Sequence, residues 1–97
     1  MPTQAPPPDP VDPGLPRVLS ALADPVRLEI VRYAHAYPGS PCSTILAGVP
    51  KSTASHHWKV LREAGLLRQE PAGRQKLNFL RKAEVDAAFP GLLDAVL

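Results

Sequence analysis

Apolar residues recur every three or four positions through the first part of the chain and alternate with polar ones later on. Leu15, Val18, Leu19 and Leu22 keep helical spacing and predict a short helix from about Pro16 to Ala23. Asp24-Pro25 interrupts it. Asp is a good N-cap and Pro suits a first helical position, so a second helix is expected to run to about Ala36. That helix would bury Val26 or Leu28, Ile30 or Val31, and Ala34, with Pro38-Gly39 ending it. A weaker third helix opens at Ser40-Pro41-Cys42, carries Ile45, Leu46 and Ala47, and closes at Gly48-Val49-Pro50. A fourth, Lys51 to Ala64, is entered through Pro50 or Ser52 and stopped by Gly65. Leu66–Glu70 and Gln75–Leu80 then predict two strands joined by a turn at Pro71–Arg74, with Leu77 and Phe79 alternating against polar neighbours. A last helix starts near Lys82 with Val85, Ala88 and Phe89. Pro90-Gly91 breaks it, and Leu92, Leu93 and Val96 continue as an apolar tail.

Two short helices around a Gly-containing turn, followed by a hairpin, predict a mainly α fold with a small β-hairpin. This is a winged helix-turn-helix, with about five helices and a two-stranded wing. Residues 1–14 hold six of the 13 prolines and little apolar bulk, so they are expected to form a flexible proline-rich arm. Residues 15–97 form one domain. A domain this small buries a modest share of its surface, which favours stability borrowed from a second subunit.

The fourth helix can be tested for the two faces that groove recognition demands, at about 100° per residue. Ala54, Trp58 and Leu61 fall on one inward stripe, and His57 lies on its flank, where packing or a structural hydrogen bond suits it better than DNA contact. Ser52, Ser55, His56, Lys59 and Glu63 spread around the opposite side. Small hydroxyls and a histidine near a helix N-terminus approach base edges, while a lysine reaches phosphate. On the hairpin, Arg74 stands at the turn, flanked by Lys76 and Arg68, where a wing tip would meet the minor groove or the backbone.

Charge sharpens this picture. The chain's formal charge is only +2, yet eight basic and two acidic residues between Lys51 and Lys82 give that stretch +6. A basic segment in a small domain suits a polyanion. The candidate DNA contacts are therefore Lys51, Ser52, Thr53, Ser55, His56, Lys59, Arg62, Arg74 and Lys76. Cys42 is the only cysteine, so no intrachain disulfide forms, as in a reducing compartment. No apolar run is long enough to span a membrane and no signal-peptide pattern opens the chain, so a cytoplasmic location is expected. No phosphate loop, activated nucleophile or carboxylate pair stands out, and the chain is not expected to be an enzyme.

Leu22-Ala23-Asp24-Pro25-Val26-Arg27-Leu28-Glu29-Ile30-Val31 resembles the opening signature of the ArsR family. The run from Ser52 through His56, His57 and Trp58 to Leu67 resembles that family's recognition helix entering the wing. The resemblance spans roughly Leu15 to Leu80 and implies a repressor, paired through its first and last helices, on a palindromic operator. Metal-sensing members carry paired cysteines in the third helix, or Asp and His ligands in the last. Here the third-helix region has only Cys42, and Glu84, Asp86 and Asp94 have no histidine among them. No metal site and no cofactor are expected, and Cys42 reads as a small core residue. Trp58 stands where the family has a leucine, which calls for local repacking.

The expected dimer surface is Leu15, Val18 and Leu19 with Val85, Phe89, Leu92, Leu93 and Val96, although the same residues could pack within one chain. The expected partners are a double-stranded DNA operator and a second copy of the chain, with any small-molecule inducer left open. The competing function is a winged-helix module for protein contact, using the proline-rich arm or the apolar tail. An apolar outward face on the fourth helix would favour it, whereas Ser, His and Lys favour DNA.

Overall fold

A computed structural model describes residues 14–97, so the arm expected over residues 1–14 lies, but for Gly14, outside the described residues. The elements run α1 (Leu15–Leu22), α2 (Pro25–Ala36), β1 (Ser40–Pro41), α3 (Cys42–Ile45), α4 (Lys51–Glu63), β2 (Leu67–Ala72), β3 (Gln75–Leu80) and α5 (Lys82–Ala88). The described residues form a winged helix-turn-helix of five helices and a three-stranded antiparallel sheet in the order β1-β3-β2.

The punctuation marks in the sequence act as chemistry says they should. The Asp24 carboxylate accepts from the Val26 and Arg27 amides at 2.8 and 3.1 Å, and Pro25 follows as the first residue of α2. The Arg27 amide, more than any other group, holds the Asp24 carboxyl below its usual 3.8. At the far end of α4, Gly65 turns left-handed at φ +78°. Its amide bonds to the Arg62 carbonyl at 3.0 Å, and the Leu66 amide reaches the Leu61 carbonyl at 3.1 Å. That pair of bonds is a Schellman closure, and its usual apolar contact is supplied by Leu61 and Leu66, both fully buried.

The core gathers Val18, Ala21 and Leu22 from α1, Ile30, Val31 and Ala34 from α2, and Trp58 and Leu61 from α4. Leu66, Leu67, Val85 and Leu93 complete it. Each large aliphatic among them contributes about 1.5–3 kcal/mol by leaving water. The stripe on α1 differs from expectation: Ala21 is buried, whereas Leu19 is 47% exposed. On α2, Val26 is 41% exposed, and Ile30, Val31 and Ala34 face the core. The apolar tail folds back. Lys82 binds Asp86 at 2.7 Å and Asp94 at 3.2 Å, and Arg32 donates to the Val96 carbonyl at 2.9 Å.

Three details of the sheet depart from the sequence pattern. Ser40-Pro41 does not open a helix but pairs with Asn78 and Leu77 as a third strand, and α3 shrinks to a single turn after it. Two residues are too few to show any periodicity. Pro71 belongs to β2 opposite Lys76 rather than to the turn. It is tolerated because β2 is an edge strand, where a missing donor costs least. The connection is the two-residue loop Gly73-Arg74, whose first residue alone has positive φ, +62°, as in a type II′ hairpin. Finally, the alternation in β3 is inverted. Asn78 is fully buried, whereas Leu77 and Phe79 are half-buried on the opposite face.

Candidate nucleic-acid interface

α3, its turn and α4 form the helix-turn-helix, and the β2–β3 hairpin stands beside it as the wing. The inward stripe of α4 is His57, Trp58 and Leu61, at 8, 6 and 0% exposure, with Ala54 half-buried. His57 is a packing residue, as its flanking position suggests. Its Nδ1 lies 3.3 Å from Arg27 Nη1, and the same guanidinium donates to the Ala21 and Ser20 carbonyls. One arginine thus ties the end of α1 and the start of α2 to α4. His56, the next residue along, is exposed.

All nine candidate DNA contacts are exposed: Lys51, Ser52, Thr53, Ser55, His56, Lys59 and Arg62 on α4, and Arg74 and Lys76 on the hairpin. A cleft of about 740 Å³ separates the start of α4 from the wing tip. Lys51 and Ser55 line one side, Arg74, Gln75 and Lys76 the other, over a floor that includes Leu46, Val49, Ala54 and Trp58. No acidic side chain borders it. Ser52, Thr53, His56, Lys59 and Arg62 lie outside this cleft.

The cations divide by partner. Arg68 pairs with Glu70 at 2.8 Å and lies 4.8 Å from the Phe79 ring centre, so it braces the hairpin. Arg62 donates to Gln69 Oε1 at 2.9 Å. Among the described residues, Lys51, Lys59, Arg74 and Lys76 take part in none of the ion pairs. Charges left unpaired on the exposed surface of a small domain are what a polyanion neutralises.

Sequence reasoning missed the polar side chains beneath this surface. Asn78 and Gln69 join Cys42 and Arg62 in one hydrogen-bonded group. A lone Asn between Leu77 and Phe79 reads as a solvent-facing strand residue, and the pattern held no signal for its burial. Cys42 is half-buried within this group and also packs against the core. Among the described residues no three His, Cys, Asp or Glu side chains converge as metal ligands.

Of the expected dimer residues, Val18, Val85 and Leu93 are 1, 5 and 0% exposed in the single chain. They pack in the protomer's own core, to which the folded-back tail contributes Leu93 itself. Leu15, Phe89, Leu92 and Val96 are half-buried and Leu19 is exposed.

This architecture, a helix-turn-helix with a basic wing, defines a DNA-binding transcription factor. The Helix-turn-helix domain family matches residues 22–70. The uncharacterized HTH-type transcriptional regulator YceK of Bacillus subtilis is 34% identical over 84 residues, 82% of this chain and 83% of YceK. The transcriptional repressor BigR from Xylella fastidiosa superposes with a TM-score of 0.65 at 26% identity, covering 84% of this chain and 81% of BigR. The homodimeric winged helix-turn-helix DNA-binding domain Mb0332 of Mycobacterium bovis, a possible ArsR-family regulator, gives 0.73 at 24% identity. That match covers 99% of this chain and 89% of the Mb0332 fragment 1–100. The chain belongs to the Helix-turn-helix domain family, among HTH-type transcriptional regulators, and shares the winged fold of ArsR-family proteins.

Proposed function

We propose that the protein is a cytoplasmic repressor that binds its operator as a homodimer, with α4 in the major groove and the β2–β3 wing against the adjoining backbone or minor groove. The observation that carries this is the acid-free cleft where Lys51 and Ser55 face Arg74 and Lys76. Small hydroxyls and exposed His56 at the start of α4 suit base edges, and the unpaired lysines and arginine suit phosphates. The dimer uses the surface the single chain leaves open, Leu19 with Leu15, Phe89, Leu92 and Val96. The homodimeric state of Mb0332 supports it. A lone Cys42 and a histidine-free last helix leave the protein without the metal sites of its sensing relatives, so another signal, or protein level alone, relieves repression.

The test is fluorescence anisotropy on duplex from the gene's own upstream region, against a scrambled duplex, over a range of salt. The wild type is expected to prefer the native duplex. Ser55→Ala with His56→Ala should abolish the preference, and Arg74→Ala should lower the salt slope by about one. No binding to either duplex at low salt would rule the proposal out and return weight to a protein-contact module.

A further inference from the structure

Asn78 and His57 are the only polar residues buried among those described, and Asn78 is buried completely. It sits in β3, the middle strand, opposite Ser40 of β1 on one side and Gln69 of β2 on the other. Its Nδ2 donates to the Ser40 carbonyl at 2.9 Å, and its Oδ1 accepts from Gln69 Nε2 at 2.8 Å. Gln69 Oε1 in turn accepts from Arg62 Nη1 at 2.9 Å. The Cys42 sulfur fills the gap between the two amides, 3.1 Å from Gln69 Nε2 and 3.3 Å from Asn78 Nδ2. A chain of three side chains therefore runs from the centre of the sheet to the last turn of α4.

Two features make this chain more than packing. A buried amide costs free energy unless every donor and acceptor is matched, so an aliphatic residue would be the simpler filler at position 78. What the amides add is direction, because a hydrogen bond has a preferred angle and an apolar contact has none. Moreover, every residue from Glu70 to Lys76 is exposed. The outer half of the hairpin is open to solvent, so its pose is set nearer the base, where Gln69 and Asn78 lie beside the core-packed Leu67 and Leu80.

We propose that Arg62, Gln69 and Asn78 form a clamp that fixes the wing relative to α4, and that they are positioning residues for DNA binding. The proposal rests on the reading that α4 and the wing contact DNA together. It also changes the role of Arg62, which holds the wing instead of serving chiefly as a phosphate contact. Cys42 packs against the clamp without carrying it, since the bonds from Arg62 through Gln69 to Asn78 do not pass through sulfur.

The test compares Gln69→Leu, Arg62→Met at an exposed position that folding tolerates, and Cys42→Ala. In the free protein, hydrogen exchange along β2 and β3, measured relative to α2, should quicken about tenfold in Gln69→Leu and hardly change in Cys42→Ala. On operator duplex, Arg74→Ala should weaken the wild type about tenfold. In the Gln69→Leu or Arg62→Met background the same change should weaken it less than about threefold, because an unclamped tip no longer presents Arg74. Equal factors in all backgrounds, or unchanged exchange, would overturn the clamp. If the wild type bound no duplex, the DNA reading would fall, and the exchange rates alone would then decide whether the hairpin is clamped.

Discussion

Asp24 closes the start of α2 with its side chain and tunes its own acidity in doing so. The carboxylate takes two amides that would otherwise lack partners, those of Val26 and Arg27. Asp24→Ala should therefore lower stability by about 1 kcal/mol in urea unfolding at neutral pH. The sign of the pH dependence follows from the lowered pKa. The folded state binds this proton less readily than the unfolded chain, so the contribution is complete above the ordinary 3.8 and disappears as pH falls through the lower folded value. The gap between wild type and Asp24→Ala should accordingly narrow on acidification below that range. A gap that stayed constant with pH would show that the cap does not act through the ionised carboxylate.

At the scale of elements, what the sequence showed and what it hid follow from how local each signal is. α2 and α4 were legible because Asp24-Pro25 and Gly65 act within one turn of themselves. Gly65 gives a direct check. A Cβ there would meet nothing within 4 Å, so any penalty for Gly65→Ala comes from the backbone alone. Holding alanine at φ +78° should cost about 1–2 kcal/mol, read as a lower unfolding midpoint with secondary structure retained. β1 was hidden because its two residues are defined by a partner nearly forty residues away. The face of β3 was misread for a related reason. Burial of Asn78 depends on Ser40 and Gln69 arriving beside it, and no local alternation reports that. The exposed face of α4 was legible because helical geometry alone separates Ser55, His56 and Lys59 from Trp58 and Leu61. The arrangement beneath the wing was not, since it joins α3, α4 and both hairpin strands.

For the whole molecule, the single chain leaves apolar surface at its first helix. Leu19 is 47% exposed and Leu15 half-buried, beside a core that already holds Val18, Ala21 and Leu22. A second copy would cover that surface and set two α4 helices about 34–36 Å apart, one turn of DNA. Leu19→Glu should then sediment as a monomer while keeping its helical circular dichroism, and bind DNA more weakly. A variant that remained dimeric would move the interface elsewhere. The most direct test of α4 and the wing as a dimeric DNA reader is selection of duplexes from a random pool by the full chain at moderate salt. The expected product is an inverted repeat with half-sites one helical turn apart, lost as a consensus when Ser55 and His56 are both changed to alanine. Recovery of no enriched sequence, or of a single site without two-fold symmetry, would contradict it.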